Sequence, residues 1–523
     1  MTATAERPTP RDSELDPYRF VRKSSWLGYP LAIALMAIGA GLVLAGFAGL
    51  GEAGDEGLHD GVAILVTGVV SMVVGLVWSR RVRPCAQLTS RQAMSAVTAV
   101  WVLMIAVSAA GFIATGQFGV ADALFESASG FTTTGMTSLI DPASSSRSIL
   151  LWRALSQWLG GLGVLLVGFG LLPLYGGAYF VRAGRGRPGP SGILGSRFDQ
   201  VLRRTAIMYG GFTIVMVLAY GLAGVGGFDA VVLSLTTVST GGFTNRAGSF
   251  ASYDSATLEW VAIAGMVVAG SSIAVLWWAL SGSIKRAYKS IQLRSYLAVL
   301  FFVSLLTAIV NGGDATAVRR SIFTVVSFST TTGFEVVDPS TWHPFLDSLL
   351  FSLMVVGAMS GSPGGGLHIS RVRLLLLYLR RVLYLQVHPN IVTHVKANGR
   401  TLDEYVITNM VGVSVLYGAL AMVGSVGVAS FGSELHVSFI AAISALSNVG
   451  PVFGVDEVLT DAKSVSQGVT GLSGFSRFVL AGLMIAGRLG VYPALVALGD
   501  LIEPIYARLR WTSHFLGRRQ EQW

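Results

Sequence analysis

The sequence predicts an all-α polytopic membrane protein, in which four span–pore helix–span repeats surround a pseudo-fourfold pore and follow a two-helix hairpin. Three observations lead to this fold class. Hydrophobic residues make up 52% of the chain, charged residues only 12%, and the mean hydropathy is +0.63; a soluble domain has about 25% charged residues. Ten stretches are long and apolar enough to cross a bilayer. Four short Gly-containing motifs recur between them, each in the same context.

The ten predicted spans are almost free of charge. Nine contain no Asp, Glu, Lys or Arg, and the tenth contains only Arg488. About 20 apolar residues are enough for a helix to cross the hydrocarbon core. The spans are predicted at residues 26–50, 61–79, 92–118, 154–180, 205–228, 260–284, 295–313, 348–370, 405–433 and 478–499.

These spans divide the chain into a leading hairpin and four similar units between two polar tails. The first span follows a tail of mixed charge and lacks a small-residue cleavage site, so we interpret it as a membrane helix rather than a signal peptide. The predicted organisation is a cytoplasmic tail at 1–25, the hairpin at 26–87, repeats at 88–194, 195–292, 293–399 and 400–505, and a cytoplasmic tail at 506–523.

The distribution of charge predicts the side of the membrane on which each loop lies. Of the 37 Lys and Arg residues, 29 fall in residues 1–25 and 500–523 and in the loops that share their side, and these segments hold only 10 of the 28 acidic residues. Cytoplasmic loops carry such a basic excess. We therefore expect a plasma-membrane protein with both termini in the cytoplasm. The net charge of +9 is an orientation signal, and no nucleic-acid partner is expected.

Each of the four units contains a helix that is too short to span and that leads into a Gly-containing loop. The short helices are expected at 121–132, 228–239, 316–329 and 436–447, before TTTG at 132–135, TGGF at 240–243, TTTGF at 330–334 and SNVG at 447–450. A helix C-terminus carries about half a negative charge, so four that converge on one axis favour a cation. Gly permits positive φ, and rings of backbone carbonyls can hold a dehydrated cation.

The motifs FESASGFTTTGMT, LTTVSTGGFTNRAGSF, VVSFSTTTGFE and ALSNVGPVFG together resemble the Trk/Ktr/HKT superfamily of potassium transporters, over residues 26–505. The leading hairpin and SQWLGGLGVLLVG at 156–168 are more similar to the TrkH branch than to the KtrB branch. The resemblance implies a single selectivity filter that passes K⁺, because Gly at the key position of all four loops goes with potassium selectivity in the family. The implied filter residues are Thr133, Thr134, Gly135, Thr240, Gly241, Gly242, Thr331, Thr332, Gly333, Asn448, Val449 and Gly450.

The eighth predicted span is interrupted by one Pro and four Gly, a composition that does not continue a regular helix. One interpretation is a helix end near the cytoplasmic surface, followed by a separate amphipathic helix from Ile369. The other is a mobile loop beneath the filter. The resemblance implies the second, because the family has a Gly-rich gate in its third repeat. The expected gate residues are Gly361, Ser362, Pro363, Gly364, Gly365, Gly366 and His368, the last in a place where the family has Lys.

Arg488 is the only formal charge inside the predicted spans. An ionisable group within the membrane is a functional-site hypothesis by default, although an Arg that only bonds loop carbonyls is the alternative. The sequence Gly-Arg-Leu at 487–489 is similar to the TrkH-like Gly-Arg-Leu-Glu motif, whose Arg lies in the pore below the filter. This chain has Gly490 in place of the acidic residue.

The resemblance also implies partners. They are the lipid bilayer, a second copy of the chain in a homodimer, and a cytoplasmic nucleotide-binding subunit of the TrkA type. The chain has neither a Walker A motif nor a Gly-x-Gly-x-x-Gly after a soluble strand, so we expect nucleotide control to come from another subunit. We expect no enzyme activity and no organic cofactor. A sodium-permeable pore, a cation-coupled symporter and, less favoured, a secondary transporter of organic solutes stay open as alternatives.

Overall fold

The protein is described here by a computed structural model. It covers residues 23–171, 194–452 and 471–500, with short gaps at 53, 86–87, 140, 392–394, 398–399 and 403. Nearly all of the predicted tail 1–25, the whole of 506–523 and part of the predicted loop 181–204 lie outside these described residues. The described part of the chain is helical, apart from two pairs of two-residue strands: Lys23–Ser24 with Val82–Arg83, and Lys396–Ala397 with Arg400–Thr401.

The described residues form helices of three lengths: long apolar ones, short buried ones and short surface ones. In chain order they are α1 (Gly28–Leu50), α2 (Asp55–Arg81), α3 (Ser90–Ala114), α4 (Val120–Phe131), α5 (Arg147–Leu171), α6 (Leu194–Leu222), α7 (Gly227–Val238), α8 (Ala256–Ala269), α9 (Ile273–Leu280), α10 (Ile284–Tyr288), α11 (Ile291–Val310), α12 (Ala315–Ser329), α13 (Pro344–Val356), α14 (Ile369–Val387), α15 (Glu404–Ala429), α16 (Leu435–Ser447), α17 (Gly474–Leu489) and α18 (Val491–Asp500).

Within the described residues, seven helices are long and apolar enough to cross a membrane: α1, α2, α3, α5, α6, α11 and α15. The number is nine if each of two bent pairs counts as one span, α8 with α9 at 103° and α17 with α18 at 114°. The chain is thus a multi-pass membrane protein. Apolar side chains on the outer faces, such as Val73, Leu218, Phe301 and Val423, are exposed as a lipid-facing surface requires.

Three of the ten predicted spans differ from the helices that form. The stretch 348–370 does not form one continuous helix, because α13 ends at Val356 and α14 begins only at Ile369. The stretches 260–284 and 478–499 are not straight. The second bends at Gly490, whose φ of 81° does not continue a right-handed helix. Hydropathy finds where apolar segments lie, but it does not detect a bend inside one.

The leading hairpin packs closely enough for its two backbones to touch. A side chain at Gly39 of α1 would overlap the Gly68 carbonyl and the Met72 amide of α2, within 2.7 Å of both. Gly46 and Gly75 make equivalent close approaches. Small residues at such positions let membrane helices associate by van der Waals contact. The hairpin then packs against α3 and α5.

Two hydrophobic clusters fill the interior. The first joins the hairpin to the elements around α4 and α16, with Phe112, Trp152 and Tyr417 among its buried side chains. The second joins the elements around α7 and α12, and it includes Phe250 and Phe328. The four short helices α4, α7, α12 and α16 therefore lie inside the protein, each within about one residue of the position that the sequence predicts.

Candidate functional site

The four buried short helices end in the same backbone motif. The residues at the turn, Thr133, Thr240, Thr331 and Asn448, have φ values of 52°, 54°, 59° and 54°. The amide of the following residue donates to the carbonyl five positions back in every case, as from Thr134 to Ser129 at 2.9 Å. This is a Schellman ending, which usually places Gly at the left-handed position. Four non-Gly residues held there mark a built backbone shape rather than a chance one.

We name the four segments loops 1 to 4, residues 132–135, 239–242, 330–333 and 447–450. Each ends in a Gly with positive φ: 86° at Gly135, 83° at Gly242, 77° at Gly333 and 108° at Gly450. All twelve residues expected to form a filter lie in these loops. The seven with side chains, including Thr133, Thr332 and Asn448, are at most 1% exposed.

The loops touch one another in a closed cycle. A Cβ atom built on Gly135 would overlap the Gly241 carbonyl oxygen of loop 2, and one on Gly450 would lie 2.5 Å from the Thr134 oxygen of loop 1. Gly242 faces Thr332 of loop 3, and Gly333 faces Val449 of loop 4, in the same way. The order 1–2–3–4–1 therefore returns to its start, and no side chain fits at any of the four glycines.

Each loop has its own polar support. Loops 1 and 3 are tied internally by pairs of Thr hydroxyls, Thr132 with Thr134 at 2.7 Å and Thr330 with Thr332 at 2.8 Å. In loop 4, the Tyr417 hydroxyl lies 2.5 Å from that of Ser447.

Loop 4 also reaches back to loop 1, because Asn448 Nδ2 donates to Thr134 Oγ1 at 3.0 Å. Loop 2 depends on a residue outside the ring: Gln157 Nε2 donates to the Gly241 carbonyl at 2.5 Å. The ring is thus four similar backbones with different supports.

Buried ion pairs stand beside the short helices. Arg153 Nε of α5 donates to Glu126 Oε1 of α4 at 2.6 Å, and both side chains are almost fully buried. Arg319 of α12 pairs with Glu259 of α8, also at 2.6 Å. Arg488 is the only such charge inside the predicted spans, but the helices that form carry further buried charges. The predicted spans began at 154 and 260, one residue after Arg153 and Glu259, whereas α5 and α8 begin several residues earlier.

The segment between α13 and α14 packs directly against the ring. We call residues 357–368 the gate segment, because it contains all seven residues expected to form a gate. The Gly365 amide donates to Thr331 Oγ1 of loop 3 at 2.7 Å. A side chain at Gly365 would overlap the Ser447 carbonyl of loop 4. The gate segment thus contacts two of the four loops.

The gate segment is also bonded to the bend between α8 and α9. The Met359 amide donates to the Gly270 carbonyl at 3.1 Å, and the Ile273 amide donates to the Gly361 carbonyl at 3.0 Å. Gly361, Gly366 and His368 have φ values of 84°, 76° and 64°, so this backbone is irregular. Irregular backbone at membrane depth is tolerated where protein surrounds it.

Arg488 lies next to the gate segment. Its Nη1 donates to the Pro363 carbonyl at 2.5 Å. A cavity of about 200 Å³ opens beside it, lined by Arg488, His368 and Arg371 together with Asn409 and Tyr492. The structure thus brings Arg488 and the gate residues together, and it places the cavity on the side of the gate segment that faces α14 and α15.

Comparisons with known proteins show the family to which the chain belongs. The family model TrkH, described as a cation transport protein, matches residues 61–311 and 306–503. The Trk system potassium uptake protein TrkH of Escherichia coli (strain K12) is 29% identical over 448 residues, which cover 83% of this chain and 91% of that protein. The Trk system potassium uptake protein TrkI of Halomonas elongata is 30% identical over 403 residues, covering 75% and 79%.

A solved structure shares the fold. The crystal structure of the potassium transporter TrkH from Vibrio parahaemolyticus superimposes with a TM-score of 0.80, at 24% sequence identity. The match covers 90% of this chain and 98% of that chain. The helical membrane architecture described above is therefore that of a known transporter fold.

Proposed function

The chain belongs to the TrkH family of cation transport proteins, and from that premise we propose that it takes up potassium ions through the ring of four loops. The observation that carries the proposal is the closed cycle of contacts, in which each loop's Gly meets the next loop's carbonyl. The homologues named as potassium uptake proteins support K⁺ as the transported ion.

We propose that the ring is the centre of a pseudo-fourfold pore, built from repeats at 88–194, 195–292, 293–399 and 400–505. The identical Schellman endings of α4, α7, α12 and α16 support this repeat assignment, because four unrelated helix ends would not share one set of hydrogen bonds. An ion at the centre would meet four helix C-termini, whose partial negative charges favour a cation.

The filter would act by replacing the water around the ion. Backbone carbonyl and Thr hydroxyl oxygens, already fixed in place, substitute for the hydration shell of K⁺. Because these oxygens are already in place, little reorganisation is needed when the ion enters. The four glycines, each packed against the carbonyl of the next loop, hold the spacing of the oxygens. The four glycines favour K⁺, while a sodium-permeable pore or a cation-coupled symporter of the same fold is the alternative that measurement has to exclude.

We propose that the gate segment controls flux below this filter. Its contacts with loops 3 and 4 support this, and the bonds at Thr331 and Arg488 hold the segment against the ring. The guanidinium of Arg488 would discourage cations from dwelling at this point, because like charges repel strongly where water is scarce. Opening requires that both of these bonds break.

The remaining assignments concern the surroundings of the pore. We propose a plasma-membrane location with both termini in the cytoplasm, a homodimer, and a cytoplasmic nucleotide-binding partner of the TrkA type. The basic segment α10, with Lys285 and Arg286, and the amphipathic helix α14 offer surfaces for such a partner. The partner's contacts would reach the gate through the bend between α8 and α9.

Ion flux into proteoliposomes tests the proposed function. The purified full chain is reconstituted, the same voltage is imposed, and uptake of K⁺ and Na⁺ is compared with that of protein-free vesicles. We expect K⁺ uptake to exceed Na⁺ uptake clearly. Equal or larger Na⁺ uptake would overturn the selectivity assignment while leaving the fold intact. No flux of either ion, with or without a cytoplasmic partner, would overturn the transport assignment itself.

A further inference from the structure

One face of α5 presents two polar side chains to the ring. Arg153 and Gln157 are four residues apart, so they lie one above the other on the helix. Arg153 is 2% exposed and Gln157 is fully buried. Both reach the place where loop 1 meets loop 2. Burying two polar side chains at one place in the membrane is costly unless every bond is made, which points to a purpose beyond packing.

Gln157 holds the backbone of loop 2 from both sides of Gly242. Its Nε2 donates to the Gly241 carbonyl at 2.5 Å, and its Oε1 accepts from the Phe243 amide at 3.3 Å. A Cβ atom at Gly241 would overlap the Gln157 amide group. The other loops carry Thr134, Thr332 and Val449 at this position. Loop 2 alone has a Gly there, and the side-chain amide of Gln157 from α5 occupies the space next to it.

Arg153 links the two loops from one helical turn away. Its guanidinium donates to Glu126 and, at 3.0 Å, to Thr137 Oγ1 just after loop 1. On the other side it donates to the Thr244 carbonyl at 3.4 Å and lies 4.1 Å from the centre of the Phe243 ring, both just after loop 2. Arg153 therefore fixes the distance between the chain segments that leave loops 1 and 2.

The bond from Gln157 acts on the contact between these loops. The Gly241 oxygen that accepts from Gln157 is the oxygen against which Gly135 of loop 1 packs. Moving this carbonyl changes the spacing of loops 1 and 2 at the point where their backbones meet. Loop 4 meets loop 1 through a bond between their own side chains, Asn448 to Thr134. The contact between loops 1 and 2 depends on α5.

We propose that Gln157 and Arg153 are positioning residues that set the K⁺ over Na⁺ preference by fixing the Gly241 carbonyl at the contact between loops 1 and 2. The inference rests on the proposed function of the ring as a cation filter. Gln157 orients the carbonyl directly, and Arg153 keeps the two loops at a constant separation. Neither side chain needs to touch the ion.

The decisive variant is Gln157→Met, which keeps the length of the side chain and removes both hydrogen bonds. The matched control is Thr213→Val in α6. It removes the hydroxyl that accepts, at 3.0 Å, from the indole Nε1 of Trp158, which lies on the face of α5 turned toward α6. K⁺ and Na⁺ uptake are measured in proteoliposomes for both variants and for the wild type. We expect the K⁺/Na⁺ uptake ratio of Gln157→Met to fall about five- to tenfold, which is the effect expected for the loss of one oriented hydrogen bond. Total cation uptake should persist. The control Thr213→Val should keep the wild-type ratio.

A second variant covers the case in which Gln157→Met does not fold. Gln157→Leu also removes both hydrogen bonds, because its side chain neither donates to the Gly241 carbonyl nor accepts from the Phe243 amide. We expect the same loss of preference. A wild-type ratio in either folded variant overturns the inference, and so does an equal fall in the Thr213→Val control. A wild type without K⁺ preference contradicts the proposed filter itself, a result separate from any effect of Gln157.

Discussion

Replacing Gly135 by Ser tests the closed ring most directly. At φ 86°, a residue with a Cβ atom is strained by about 1–3 kcal/mol whatever the space around it. The Cβ would also lie closer than 3.0 Å to the Gly241 oxygen, with the carbonyl carbon at 3.3 Å and Gly242 Cα at 3.4 Å. To restore ordinary contact, the Gly241 carbonyl must retreat by about one ångström.

That displacement acts on one of the four contacts that set the spacing of the ring. Forcing extra atoms into a packed interior costs about 1–3 kcal/mol. If the cost falls on the K⁺-bound state, the K⁺/Na⁺ uptake ratio drops about five- to hundredfold, since about 1.4 kcal/mol corresponds to a factor of ten. The assay is uptake of each ion into proteoliposomes at equal voltage.

The control for Gly135→Ser is Gly224→Ser. Gly224 has a φ of 91°, so it has similar backbone strain, but a Cβ atom there would meet nothing within 4 Å. We expect Gly224→Ser to keep the wild-type ratio. An unchanged ratio in folded Gly135→Ser would refute the assignment of the ring as a filter. An equal fall in the control would show that backbone strain, and not the contact with Gly241, is responsible.

Three further predictions follow from contacts around the ring. Arg488→Met removes the hydrogen bond to the Pro363 carbonyl and should raise K⁺ uptake about tenfold, because a charge-assisted bond contributes about 1.5–3 kcal/mol. The K⁺/Na⁺ ratio should stay unchanged. Unchanged uptake would argue against a gate held by this bond. Glu126→Leu leaves the Arg153 charge buried without its partner and should destabilise the protein by about 3–5 kcal/mol. Thermal unfolding in detergent measures this, and adding Arg153→Met should restore most of the loss; no recovery would contradict the pairing. Cys85, the only cysteine of the chain, should react with a membrane-impermeant maleimide in inside-out vesicles and not in intact cells, and the reverse would overturn the proposed orientation.

Sequence reasoning located the four short helices because their signals are local. An apolar run of about a dozen residues, ended by Thr or Ser and then Gly, specifies both the helix and its left-handed ending. The motifs therefore fixed α4 and α12 to within about one residue. The contact between Gly365 and Thr331 was anticipated only in outline, as a loop beneath a filter, since the sequence does not encode which loop it meets.

The supports of the ring were missed because they join residues far apart in the chain. Gln157 and Gly241 are 84 positions apart, and Arg153 and Glu126 are 27 apart. A charged residue at the edge of an apolar run counts as the end of a span in hydropathy analysis, which is how Arg153 was excluded by one position. One signal for the ion pair was available in the sequence. Glu126 lies in one of the predicted short helices, and a carboxylate buried there needs a cation nearby.

The hydrogen bonds that tie the gate segment to Gly270 and Ile273 place a mechanical link between non-adjacent parts of the chain. A force applied to α9 and α10 would reach the gate segment through this link, where α9 lies at 103° to α8. Under the proposed gating, a small rotation of α9 would displace the gate backbone, because the two are joined by these hydrogen bonds. The work needed to open the pore would then be set by the bend and by the bonds at Thr331 and Pro363, rather than by the packing of the membrane helices.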